Sequence, residues 1–257
     1  RAIRRELERF GSHLLKRREI VVLGQRLVVP RGQPHPLDDD SAEFFHRSVG
    51  MMIAPGHRVL DLGTGLGLGA MIAASRGAEV VAVDVRADAL EAARTNLAAA
   101  GLLDHVELRQ GRAEDVVGEG AFDLVLYNPP RVPKPIRGPE DLATRAGERW
   151  SEVGAVLSAS PRWIGEKGRL LILADGGRFS AFVASAVPPG YRVVPLARSL
   201  GLLPGMEVLS LGFDLEAARL DRHAARERKP EQRAERGRRR WKALDGDEAP
   251  EVPEVHP

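Results

Sequence analysis

Val59-Leu60-Asp61-Leu62-Gly63-Thr64-Gly65-Leu66-Gly67-Leu68-Gly69-Ala70 (VLDLGTGLGLGA) decides the fold. An apolar run ends in a carboxylate and gives way to four glycines at alternate positions. Small residues then follow to Arg76 at helical length. Glycines between a strand and a helix let the chain turn sharply and let a ligand approach the backbone. The helix start that follows offers free N–H groups. The next apolar run, Ala78–Val85, carries Asp84 near its end, 23 residues after Asp61. A doubly wound sheet places an acid for ribose hydroxyls at that position.

Outward from this loop the alternation is regular. Strands are expected at 57–63, 78–85, 105–111, 121–130 and 169–177, and helices at 41–53, 66–76, 87–100, 141–164 (with a break near Ser160-Pro161) and 179–187. Residues 191–200 and 206–213 form a closing antiparallel pair. This pattern predicts an α/β fold, doubly wound and Rossmann-like, with a mainly parallel sheet and an antiparallel closing strand pair. Before it, residues 1–18 have apolar positions near helical spacing, and Glu19–Val29 reads as a hairpin around Gly24-Gln25. Asp38-Asp39-Asp40 stands where it would cap the 41–53 helix. The expected organisation is an N-terminal helix and hairpin at 1–35, one ligand-binding domain at 36–215, and a charged arm with a disordered acidic tail at 216–257.

The chain has 257 residues, 43% of them hydrophobic, enough for a sizeable core. No apolar run approaches the ~18 residues of a membrane span. The N-terminus lacks the apolar core of a secretory signal, so a cytoplasmic location is expected. Cys is absent, which removes thiol nucleophiles and Cys-ligated metal, and seven His show no ligand spacing. No metal is expected. The net charge of +2 is a cancellation. Residues 1–31 carry +6, residues 32–218 carry −6 and residues 219–242 carry +7, ahead of an acidic tail of −5. The basic flanks, with Arg236–Arg240 beside Trp241, suit RNA phosphate or serve as solubilising ends.

Two cofactors fit the glycine loop. Gly65-x-Gly67-x-x-Ala70 matches a dinucleotide pattern, but Asp61 is a poor neighbour for a pyrophosphate. S-adenosylmethionine is net positive, and an acid at the strand end suits its amino group. At the fourth strand, Tyr127-Asn128-Pro129-Pro130 replaces a strand end by a rigid turn beside the glycine loop. The Asn128 carboxamide and the Pro129 carbonyl both accept hydrogen bonds and can hold one planar NH2 group for in-line attack. Trp150 and Trp163 read as core or rim anchors, and Asp175-Gly176-Gly177 as a turn.

At these residues the chain resembles class I S-adenosylmethionine-dependent methyltransferases. Within them it is similar to the protein-(glutamine-N5) branch and to other amino-group methyltransferases with an Asn/Asp-Pro-Pro-aromatic motif. Pro36–Phe44 (PLDDDSAEF), VLDLGTGLGLGA, LVLYNPPRVP and the closing strands to Phe213 carry the resemblance. It implies that Asp61, Gly63, Thr64 and Gly65 hold the methionine part of the cofactor and Asp84 its ribose. Asn128, Pro129 and Pro130 would orient the acceptor nitrogen, with Asn128 also near the cofactor. Asp40, Ser41 and Arg131 would border the acceptor. Two positions depart from the family. Arg131 stands where it has an aromatic, and Gly111-Arg112-Ala113-Glu114-Asp115 replaces its Gly-Asp. The adenine contact then falls on Arg112 and Ala113, or on Glu114 or Asp115. The implied function is N-methylation of a planar amide or amino group on a macromolecule by a monomeric enzyme, foremost a protein glutamine. An rRNA or tRNA base amino group, a small molecule and a non-catalytic RNA-binding or scaffold role are the alternatives.

Overall fold

The computed structural model describes residues 18–30, 41–120, 122–138, 141, 144–199, 205–214 and 218. The helix expected before Arg18, the Asp38–Asp40 cap and the charged arm beyond Ala218 lie outside them. Strands β1 (Arg18–Val22) and β2 (Gln25–Val29) form the expected antiparallel hairpin, turning at Leu23 and Gly24. Helix α1 (Ser41–Gly50) precedes the alternating core. That core runs β3 (Arg58–Leu62), α2 (Leu68–Ser75), β4 (Glu79–Asp84), α3 (Ala87–Ala99), β5 (Val106–Gln110), the one-turn α4 (Ala113–Val116) and β6 (Leu124–Tyr127). It continues with α5 (Ser151–Ala159), α6 (Pro161–Ile164), β7 (Arg169–Ala174), α7 (Gly177–Ser185), β8 (Tyr191–Arg198) and β9 (Glu207–Phe213).

The seven strands lie in the order β5-β4-β3-β6-β7-β9-β8. The first five are parallel, β9 is antiparallel to β7, and β8 is antiparallel to β9. The order reverses between β3 and β6, and ligands of open α/β sheets bind at such a switch point, outside the carboxyl ends of the strands. Leu62, Asp84 and Tyr127 end three strands there. The pleat sorts the core into two layers. Val59, Val80, Ala82, Leu124 and Leu126 face α1 and α2, whereas Leu60, Leu62, Val83, Val125 and Tyr127 face α5, α6 and α7. Strands buried on both faces read as continuous apolar runs, which is why these segments lack polar alternation.

One expectation needs correction. The helix expected over 141–164 exists only as α5 and α6, divided at Ser160-Pro161. Ahead of Ser151 the chain is irregular. The Ala146 amide donates to Val132 O (2.9 Å) rather than along a helix, and Gly147, Arg149 and Trp150 all have positive φ. Val132 and Arg145 pair in an isolated parallel bridge, so residues 144–150 fold back on the loop after β6.

The hairpin is tied to the glycine loop by Asn96 of α3, whose side chain is fully buried. Asn96 Oδ1 accepts from the Val28 amide (2.8 Å), while Nδ2 donates to Val28 O (3.2 Å) and Leu66 O (2.9 Å). Val29, Leu66 and Ala92 pack around this clasp. Truncating Asn96 strands buried groups on two segments, and each such group costs about 1–3 kcal/mol. Asn96→Ala is therefore expected to lose roughly 2–4 kcal/mol in urea unfolding, and a loss well under 1 kcal/mol would contradict the clasp.

Candidate active site

The carboxyl ends of β3, β4 and β6 open into a cleft of about 270 Å³. Gly63, Gly65, Asp84, Arg112, Ala113, Asn128 and Pro130, all singled out from the sequence, line it together, whereas Asp61, Thr64, Pro129, Arg131 and Ser41 are not on its wall. Gly63 and Gly65 have φ of 67° and 55°, left-handed values that favour glycine. The Gly63 and Thr64 amides both donate to Val83 O, pinning the loop to β4. Asp84 fixes the next residue: its Oδ2 accepts from the Gly65 amide and its Oδ1 from the Arg86 amide, both at 3.0 Å. Burial pushes the Asp84 carboxyl above its usual range, against the pull of those two hydrogen bonds.

Asp61 stands elsewhere than expected. It is 5% exposed and lies under the loop, not on the cleft wall. Its Oδ2 accepts from Thr64 Oγ1 (2.7 Å) and from the Ala70 amide (3.0 Å) at the start of α2. It thus braces the loop from below, and Thr64 is turned away with it. Gly69 exists for the same reason, since a Cβ there would stand 2.7 Å from Asp61 Oδ1. Gly67 (φ 85°) similarly admits Ala93 of α3, whose Cβ would lie 3.1 Å from an added Cβ.

Burial raises the Asp61 pKa from 3.8 to about 6, partly offset by Thr64 and Ala70. The folded protein therefore holds a proton there, between those values, that the unfolded chain has released. This contribution to stability is largest at low pH and is lost as pH rises through about 6. Asp61→Asn removes the titration while keeping an acceptor for the Ala70 amide. Its melting temperature relative to wild type is expected to climb between about pH 4 and pH 7 and to level off above. A difference that stays flat over that span would refute a proton on Asp61.

The acidic side of the cleft is uneven. Arg86 is paired with Asp88 (2.5 Å), Arg112 with Glu152 (2.7 Å) and Arg145 with Asp141 (3.0 Å). Glu114, by contrast, lines the cleft with a buried Oε1 that has no hydrogen-bond partner among the described residues. Tyr127 is buried on the floor, and burial pushes its phenol well above the ordinary range.

Asn128 follows Tyr127, with Pro129 buried beneath and Pro130 on the wall. Asn128 Oδ1 accepts from Arg131 Nη1 (3.4 Å), and Arg131 Nη2 donates to Ser41 Oγ (3.1 Å). Asn128, Arg131 and Ser41 thus form one linked group at the cleft, while Asp40 lies outside the described residues. The sequence did not point to Arg145 or Glu152 as lining residues, because both fall within the stretch expected to be helical ahead of the break near Ser160-Pro161.

The residues fit S-adenosylmethionine on the structure's own terms. Two glycines without Cβ form one wall, and a partnerless buried carboxylate oxygen offers an acceptor to an amino group. Asp84 brings a second carboxylate to the same cleft. Among the described residues, no three His, Cys, Asp or Glu side chains gather as a metal site requires.

A family model described as the methyltransferase small domain matches residues 38–174. The ribosomal protein uL3 glutamine methyltransferase of Bordetella pertussis is 33% identical over 172 residues, 63% of this chain and 56% of that protein. The release factor glutamine methyltransferase of Chlorobaculum tepidum is 37% identical over 117 residues, 43% of this chain and 39% of that protein. The chain therefore spans about half the length, or less, of these curated relatives. The Thermus thermophilus 16S rRNA N2 G1207 methyltransferase, solved with AdoMet and guanosine, superposes with a TM-score of 0.53. It is 18% identical and covers 77% of this chain and 50% of its own, a likeness of fold. The Rossmann-like sheet, the transferase class and S-adenosylmethionine as cofactor, expected from the glycine loop and Asn-Pro-Pro, are those of this family. With more than half its length matched by one family model, over the residues that build the five parallel strands and the cleft, the chain belongs to the methyltransferase small domain family.

Proposed function

We propose that this protein is an S-adenosylmethionine-dependent N-methyltransferase acting on the side-chain amide of a protein glutamine. One observation carries the choice of a planar nitrogen. Asn128 Oδ1, at the end of β6, already accepts from a planar NH2-type donor, the Arg131 guanidinium. An acceptor carboxamide presents the same geometry. The glutamine methyltransferase activities of the uL3 and release factor relatives support glutamine.

Gly63, Gly65, Asp61 and Thr64 would shape the cofactor's methionine end. Asp84 would take its ribose hydroxyls, and Arg112, Ala113 or Glu114 its adenine. S-adenosylmethionine supplies an electrophilic methyl on a sulfonium sulfur. Asn128 Oδ1 and Pro129 O accept the two N–H protons of the acceptor, fixing the plane of the amide and aiming the nitrogen lone pair. Held this way, the lone pair would be presented to the methyl group that the cofactor would supply, with the C–S electrons remaining on sulfur. The surplus proton then leaves nitrogen for water, so no strong base is required. Pro130 makes the turn rigid, and Arg131, Ser41 and Asp40 border the acceptor.

The catalytic unit in this reading is 36–215, with 1–35 and 216–257 as flanking segments that recognise a macromolecular acceptor. The protein acts as a monomer in the cytoplasm. Among the described residues no helix is long and apolar enough to cross a membrane. Incubation with methyl-tritiated S-adenosylmethionine and a cell lysate tests the reading. Label is expected in macromolecules that protease digests and RNase leaves intact. RNase-sensitive label would replace it with a nucleic-acid amino-group methyltransferase, for which the basic flanks speak. Absence of label would refute both.

A further inference from the structure

Trp150 combines backbone strain with a contact to the acceptor loop. Arg149 and Trp150 are consecutive non-glycine residues with φ of 51° and 60°, following Gly147 at φ 75°. Bulky residues rarely adopt this region, and such strain persists only where the surroundings over-determine it. Here the surroundings are visible. The Trp150 ring lies 5.5 Å from Phe179 and 5.3 Å from Phe182, both on α7. Its Nε1–H donates to Arg131 O at 2.8 Å.

That carbonyl follows Asn128-Pro129-Pro130 directly. Two prolines make a stiff arm, so a restraint on the Arg131 backbone is transmitted to the Asn128 carboxamide. Arg131 closes the circuit through its side chain, which reaches Asn128 Oδ1 and Ser41 Oγ. Ala146 N to Val132 O, with the Val132–Arg145 bridge, adds a second strap one residue on.

We propose that Trp150 is a positioning residue for the acceptor site: its indole N–H sets the pitch of the Asn-Pro-Pro loop from the rigid α5–α7 layer. The proposal rests on the methyltransferase reading. An indole used only as a core anchor needs the ring and not the N–H, and Trp150→Phe separates the two. The variant keeps an aromatic against Phe179 and Phe182 and loses the donor.

Three readouts decide. Affinity for S-adenosylhomocysteine by calorimetry is expected to stay within about two-fold, because Trp150 is not part of the cleft wall. Tritiated methyl transfer into lysate is expected to fall about ten-fold, the scale of one lost hydrogen bond combined with a misplaced acceptor. Amide exchange at Lys134 and Ala146, both bonded to Val132 O, is expected to quicken while Gly63 and Gly65 stay unchanged. Unchanged transfer overturns the proposal, as does a rate loss matched by the loss of homocysteine-cofactor affinity. If wild type transfers no label, the methyltransferase reading fails by itself. The exchange measurement then decides alone, and unchanged exchange at Lys134 and Ala146 overturns the positioning role.

Discussion

Replacing Asn128 by Ala is expected to cut methyl transfer at least about 100-fold while leaving S-adenosylhomocysteine affinity within about three-fold. The asymmetry follows from where the residue stands. Asn128 lines the cleft together with Gly63, Gly65, Asp84 and Glu114, and in the proposed reading it stands at the acceptor end while the others face the cofactor. In the proposed reading, truncation would remove one of the two oxygens that hold the acceptor N–H protons, and the nitrogen lone pair would then sample directions from which in-line attack fails. Backbone distortion is limited because Pro129 and Pro130 retain the turn. A serine in place of Asn keeps an oxygen but shortens its reach, so it should recover little. Initial rates with tritiated cofactor, paired with calorimetry on the same preparations, check the claim. A parallel loss of affinity and rate would instead make Asn128 a cofactor ligand with no role in orienting the acceptor.

Asp61→Ala should produce the opposite pattern, a loss of cofactor affinity of about 100-fold together with roughly 2–4 kcal/mol of stability. Asp61 touches the loop and not the cleft. Its carboxylate satisfies Thr64 Oγ1 and the Ala70 amide in a buried space. Alanine leaves the Ala70 N–H unpaired and opens a void beside Thr64 and Gly69. Asp61→Asn, which retains an acceptor oxygen, should hold most of the stability and lose less affinity. Gly69→Ala attacks the same contact from the other side, since its Cβ would collide with both carboxylate oxygens. If Asp61→Ala weakened binding with no change in urea unfolding, the carboxylate would be a direct ligand and the brace would be wrong.

The sheet was legible because its evidence is local. Apolar runs of strand length separated by small-residue helical stretches specify a parallel, doubly covered sheet, and the carboxylate-glycine sequence marks the switch point. The Asn-Pro-Pro turn was legible because two prolines cannot continue β6. The side on which Asp61 lies was harder to read. The pleat puts Asp61 on the face of Val59, against α2, and Leu60 and Leu62 on the face of the cleft. A buried strand that is apolar on both faces gives no alternation from which to read that parity. Residues 144–150 were illegible for a different reason. Their composition permits a helix, but a tertiary hydrogen bond from Ala146 to Val132 and the Trp150 indole impose another path. Arg145 and Glu152 reach the cleft along it, where they pair with Asp141 and Arg112.

In the proposed reading a planar amide nitrogen, held by Asn128 and Pro129, receives the methyl group. The most direct measurement is complete enzymatic digestion of the labelled protein fraction, followed by chromatography of its amino acids. All label is expected to co-migrate with N5-methylglutamine. Label in methyl-lysine, methyl-arginine or a carboxyl methyl ester would contradict it.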